Sequence, residues 1–417
     1  MLKFLLIFLL GVSVLKAQSL DKARSIIDTL CSQEMFGRGY TKEGHQKAAN
    51  YISSAFESRG LKSFGSNYQQ TFPLKVNTFP NPISFRLDQK ELSLGKDYII
   101  APASKSFNGK LEVEQLPLKA LRSIKKLKKF LAKHAGQKAL LIDFRELNKE
   151  ERKLASQLSS SFVGYPVVLM VDSVKLTASM SQSESRMTVF KLKVDNDFRI
   201  PQELEIKVEN KLKDIETSNV LAYIEGNEYP DSFVVFSAHY DHLGGYGDSV
   251  YFPGANDNAS GIAMLLELAD EFQKMDSLKY SLAFIAFGGE EVGLIGSKYY
   301  TENPLFPLSS IKALINTDIL GTGDEGIKMV NATENRGIYN AFVSLNEKLK
   351  LLKYVGKRGP AANSDHYFFS LKNVPAVFIY TLGGVSAYHD VYDIPSTLPL
   401  TAFLSIKKLL LSYFLTL

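Results

Sequence analysis

Cysteine is almost missing from this chain and tryptophan is missing altogether: of 417 residues, one is Cys31 and none is Trp. A single thiol closes no internal disulfide, so stability must come from a buried core and from any bound ions. It also excludes every thiolate-rich metal site, and a metal here must be held by His, Asp and Glu. An excess of one sign of charge is nearly missing too. The formal net charge of +5 is mild for this length and does not point to a nucleic-acid partner. Internal repeats and low-complexity tracts are absent. The apolar run Phe4 to Leu10 is shorter than the about 20 residues a bilayer-spanning helix needs. With Lys3 before it and Leu15-Lys16-Ala17 ahead of Gln18, it reads as an export signal over residues 1–17, removed by cleavage. The expected location is periplasmic or extracellular, with no stable membrane span after cleavage.

What is present is ordinary in bulk and distinctive in detail. A hydrophobic content of 45% with 22% charged residues suffices for a large core and argues against global disorder. Residues 18–72 read as helical, with Ala48, Tyr51, Ile52, Ala55 and Phe56 at helical spacing and Gly60 as the stop. Residues 73–212 have another texture. Short β-rich runs (Tyr98 to Ile100, Ala139 to Ile142, Val167 to Val171) flank a basic amphipathic helix over Lys119 to Lys133, with its lysines on a solvated face. From 213 to 417, apolar strands alternate with amphipathic helices. The expected fold class is α/β: a mixed, mostly parallel sheet flanked by helices, with an inserted smaller β-rich domain over 73–212.

Four apolar runs in the last segment, Phe233 to Phe236, Leu282 to Phe287, Ala313 to Ile315 and Ala376 to Ile379, predict strands. The first ends in Ser237-Ala238-His239-Tyr240-Asp241-His242. The second ends in Gly288-Gly289-Glu290-Glu291, the third in Asn316-Thr317-Asp318, and the fourth leads to Tyr388-His389-Asp390. Open α/β sheets bind ligands outside the carboxyl ends of their strands. A fifth group, Gly254 to Asn258, precedes a helix over Ser260 to Phe272 that Ser260 or Asn258 would cap. Imidazole and carboxylate ligands suit catalytic zinc. Adjacent glutamates suit a division of labour in which one binds metal and the other accepts a proton. Two His and three acidic ligands exceed what one catalytic zinc needs and suit two zincs sharing a carboxylate.

The segments SAHYDHLG, GANDNASGIAMLLELA, FGGEEVGLIGS, NTDILG and YHDVYD occur in the order and approximate spacing of the zinc-dependent M28 peptidases, the aminopeptidase Y and glutamate carboxypeptidase group. Over about residues 213 to 400 the chain resembles that family, and MFGRGYTKEGHQKAANYI looks like its start. The resemblance implies two Zn2+ per chain. His239, Asp257 and Asp318 would hold one and Asp257, Glu291 and His389 the other, with Asp257 bridging. It further implies Glu290 as general base toward a water between the metals, Tyr388 as oxyanion donor, and Asp241 as a carboxylate orienting the metal site. Asn363 to His366 match a family segment that lines the pocket or supports its loop, with support favoured, and Asp393 matches a structural position. The insertion sits where some members carry a protease-associated domain and could shade the cleft, favouring short peptides. His242 has no assigned role, and His45 is expected on the surface.

The expected activity is that of an exported aminopeptidase acting on peptides, with a carboxypeptidase or dipeptidase of the same family as the near alternative. Glutaminyl cyclases share much of this ligand set with one zinc but carry Trp near the active site, notably just before the last His ligand. Here that position is Tyr388 and the chain has no Trp. A non-catalytic binding homologue would be expected to lose ligands, and none is missing.

Overall fold

Phe233, Val234, Val235 and Phe236 form an apolar run with no polar alternation because both faces of their strand are covered. In the computed structural model, which describes residues 20–417 except 122, 135, 158–161 and 163, that strand is Tyr229–His239, at the middle of an eight-stranded mixed sheet. The expected export signal lies outside the described residues. The sheet order is Gln69–Thr78, Lys211–Ile224, Tyr280–Phe287, Tyr229–His239, Ile311–Thr317, Ala376–Leu382, Gly326–Val330, Val355–Lys357. The four central strands, Tyr280–Phe287 to Ala376–Leu382, run parallel, and antiparallel strands flank them.

Alternate side chains of each central strand enter two different cores. Val234, Phe236, Leu282 and Phe284 pack with the helices 20–30, Gly44–Ser58, Ser260–Phe272 and Phe403–Phe414. Phe233, Val235, Ile285 and Phe287 face Tyr300 and Phe369 from the helices Ile295–Glu302 and His366–Leu371. A side chain such as Phe284, wholly buried, contributes about 2–3 kcal/mol through removal from water. The helix Ser260–Phe272 has the expected bounds; Ala259 is its N-cap residue, and Asn258 just before it accepts the first-turn Gly261 N–H on Oδ1 at 2.9 Å. Among the described residues no helix is long and apolar enough to cross a membrane.

A second mixed sheet is built from strands lying between Ser84 and Val208, with Leu118–Leu121, Ile124–His134 and Lys149–Gln157 as its helices. The expected boundaries at 73 and 212 fall inside Gln69–Thr78 and Lys211–Ile224, which pair with each other in the large sheet. These strands have the same β-rich composition as the insertion, so texture alone does not separate them. One face of the second sheet shares a core with Leu243, Tyr246 and Phe252 of the large unit. His45 is a correction. It is buried, with Nδ1 at 3.3 Å from the Gly39 carbonyl and its ring against Tyr40, because the first helical face packs inward.

Candidate metal centre

Register brings the candidate ligands together. His239 pairs with Phe287, Ser237 with Asn316, and Thr317 with Ile379, so the parallel strands end level with one another. His239 is the last residue of its strand, Glu290 and Glu291 follow Phe287 by a short turn, and Asp318 follows Thr317 directly. Asp257 arrives from the segment before the capped helix. Asp393 holds that segment, its two carboxylate oxygens accepting the Asn256 and Asp257 N–H groups at 2.8 and 3.0 Å.

The five expected ligands meet around Asp257. Its Oδ1 lies 3.3 Å from His239 Nε2, and its Oδ2 lies 3.0 Å from His389 Nε2. Asp318 Oδ1 is 3.3 Å from the first imidazole and Glu291 Oε2 is 3.2 Å from the second. Two groups at metal-ligating spacing result: His239, Glu290 and Asp318 in one, and His242, Asp257, Glu291 and His389 in the other. Glu290, expected as the base, is thus a member of the first group, and its carboxyl is pushed well above the usual range by burial and by Glu291, Asp365 and Asp318.

The donors fit cations. His239 Nδ1 is 3.0 Å from the Asp241 carbonyl, and His389 Nδ1 is 3.0 Å from the Ala178 carbonyl. A carbonyl only accepts, so each Nδ1 carries a proton, and each Nε2 faces carboxylate oxygens that only a proton or a cation can join to it. Such an arrangement calls for positive charge. Burial would depress the imidazoles, yet Asp318 and Glu290 drive His239 well upward, and Glu291 and Asp257 drive His389 up to about 11. Burial would raise Asp257 and Glu291, but the imidazoles hold Asp257 well below its usual range. Glu291 lies at about 2, with His389 and His242 outweighing burial and Asp257.

The surrounding contacts orient this set. Asp241 lies under the glutamate pair, its Oδ1 accepting the Glu290 N–H at 3.0 Å and its Oδ2 the Glu291 N–H at 3.3 Å, with Tyr40 Oη donating to Oδ2 at 3.0 Å. Ser364 Oγ donates to Asp318 Oδ2 at 3.1 Å, which places its segment in support of a ligand. Tyr388 lines the cavity, 43% exposed, with its ring stacked on His389 at 4.0 Å between centroids. The cavity measures about 530 Å³, with Leu294, Ile319, Phe378 and Asn363 on its walls.

Several contributors escape sequence reasoning. His242 Nδ1 donates to Glu291 Oε1 at 2.6 Å, leaving Oε2 toward His389. Arg38 is fully buried and bonds the carbonyls of Leu30, Tyr240, Pro253, Gly254 and Asp257. The inserted unit supplies the Ala178 carbonyl, and Ala178 N–H donates back to the His389 carbonyl at 2.9 Å. Only Arg38 carried a signal, a charge between glycines: a Cβ on Gly37 would stand 2.4 Å from the Gly244 carbonyl oxygen.

Residues 219–414 match the model of peptidase family M28. Aminopeptidase YwaD of Bacillus subtilis is 31% identical over 196 residues, 46% of this chain and 36% of that protein. A probable zinc metalloprotease of Pyricularia oryzae is 36% identical over 120 residues, 27% of this chain and 23% of that one. The chain thus spans between about a quarter and a third of the length of these curated relatives. Among solved structures, a peptidase M28 precursor from Shewanella amazonensis has a TM-score of 0.70 at 15% identity, covering 96% of this chain and 95% of its own. A zinc aminopeptidase of Bacillus subtilis has a TM-score of 0.69 at 19% identity, covering 94% and 93%. These two share the fold of nearly the whole chain, inserted sheet included.

Proposed function

Taking as premise that residues 219–414 are a peptidase family M28 domain, we propose that the protein is an exported exopeptidase using two zinc ions, and that it acts as an aminopeptidase on short peptides. The observation that carries the reading is the placement of Asp257, with one carboxylate oxygen toward each imidazole and Glu290 beside the same cavity. His239, Asp257 and Asp318 would hold one ion, and Asp257, Glu291 and His389 the other. Zinc there supplies a Lewis acid for the scissile carbonyl and lowers the pKa of water.

The chain's own residues do the rest. Glu290 accepts a proton from the attacking water and returns it to the leaving amine. Its backbone is held by Asp241, so the carboxylate is preplaced. Tyr388 donates from the cavity wall to the developing oxyanion, a role worth about 3–4 kcal/mol in comparable sites. The cavity is sized for a few residues, which suits short peptides. Export is supported by the short apolar run at residues 4–10 with Lys3 before it.

The test is Glu290→Gln. Turnover is expected to vanish while zinc, measured by elemental analysis, stays at two per chain. Near-normal activity in that variant would sink the mechanism. Amino-acid para-nitroanilides should be hydrolysed and N-blocked peptides left intact; activity on blocked substrates only would end the aminopeptidase reading.

A further inference from the structure

The walls of the cavity carry four carboxylates, Asp257, Glu290, Glu291 and Asp318, and one permanent cation, Arg358. Arg358 has no carboxylate within ion-pair distance among the described residues, and its side chain is exposed. Its backbone is fixed all the same. It follows the edge strand Val355–Lys357, its N–H donates to the Met329 carbonyl at 2.8 Å, and its own carbonyl accepts the Ala332 N–H at 3.1 Å. A guanidinium offers a planar fork of donors matched to a carboxylate, and one left unpaired beside a reaction site is free to accept it from a substrate. Asn363 adds a polar group on the same wall, and Phe378 and Ile319 offer apolar surface.

Resting on the peptidase reading, we infer that Arg358 forms a carboxylate-binding subsite, and that the preferred substrates are short peptides with a free carboxylate close to the scissile bond. That carboxylate has two sources: an acidic side chain next to the bond, or the C-terminus of a dipeptide. The subsite takes part in binding and positioning and moves no proton.

Two matched pairs separate the sources. Glu-para-nitroanilide against Gln-para-nitroanilide tests the side chain, and Ala-Ala against Ala-Ala-amide tests the terminus. In one pair kcat/KM should favour the carboxylate by about 10- to 100-fold, since a donor fork discriminates strongly between a charged and a neutral isostere. In Arg358→Gln that ratio should fall toward one, mainly through KM, and in the parent it should shrink as salt screens the pair. Ratios near one in both pairs, or a ratio unchanged in Arg358→Gln, overturn the subsite. Turnover of the neutral members reports on the peptidase reading separately. If none of the four is hydrolysed, that reading fails. The subsite is then read by calorimetry on the zinc-loaded protein, with Ala-Glu against Ala-Gln and Ala-Ala against Ala-Ala-amide, where equal affinities within both pairs overturn it.

Discussion

Replacing Arg38 should damage stability and metal binding together. The residue is 0% exposed and no carboxylate pairs with it among the described residues, so five carbonyl oxygens carry its charge. The bonds run to Tyr240 at 2.8 Å, Leu30 at 2.9 Å, Pro253 at 2.6 Å, Gly254 at 2.7 Å and Asp257 at 3.3 Å. A hydrogen bond to a charged group nets about 1.5–3 kcal/mol, and contributions within one network do not add. Arg38→Ala strands the carbonyls in a dry site and opens a cavity, so we expect a loss of about 4–6 kcal/mol. That is a large part of a typical folding stability of about 5–15 kcal/mol. Arg38→Lys keeps the charge but has three donors for five acceptors, and should lose about half as much. Three of the five carbonyls belong to Tyr240, Gly254 and Asp257, in or beside the ligand segments. Zinc affinity, read by chelator competition, should therefore fall about 10- to 100-fold in Arg38→Lys. Urea unfolding gives the stability. A midpoint within error of the parent, with zinc affinity intact in both variants, would refute the clamp.

Further expectations follow from neighbouring contacts. His242→Ala frees Glu291 Oε1 and should weaken zinc about tenfold or more in the same competition assay, whereas a merely space-filling role predicts no change. Lys407, 8% exposed, donates to buried Glu267 at 2.7 Å, so Lys407→Met should cost about 3–5 kcal/mol in urea unfolding, more than a surface pair could. Burial lowers the His366 imidazole from its ordinary value near 6.5 to about 4, so the unfolded chain takes up the proton first. Its contribution is complete above pH 6.5 and is lost as pH falls toward 4, by about 3 kcal/mol at most. His366→Phe should flatten stability against pH across that window, and an identical profile in parent and variant would refute the assignment.

The candidate ligands are legible in the sequence for a physical reason. His239, Glu291, Asp318 and His389 follow apolar runs that read as buried strands, and parallel strands in register bring their ends to one edge, while Asp257 comes from the segment before a helix. Tyr388, Glu290 and Asp241 are legible through the motifs that contain those ligands. What supports them is not. Ala178 reaches His389 through backbone atoms, which no residue type signals. Arg38 reaches Gly254 across 216 positions, and Tyr40 reaches Asp241 across 201. His45 looks like a surface residue because nothing in its helix reveals that Tyr40 and the Gly39 carbonyl wait on its inner side. The ends of the insertion are obscured because Gln69–Thr78 and Lys211–Ile224 share its composition while belonging to the large sheet.

The reciprocal pair between Ala178 and His389 also sets a timetable for the enzyme's birth. The two residues stand 211 positions apart, and both hydrogen bonds require the inserted sheet to be in place when the last ligand arrives. Contacts of such separation form late, after the local elements. A ribosome that has delivered the chain through Asp318 has supplied four of the five candidate ligands, His239, Asp257, Glu291 and Asp318, but not His389. On the reading proposed above, the candidate metal centre thus stays incomplete until the two sheets have docked and His389 has reached the Ala178 carbonyl.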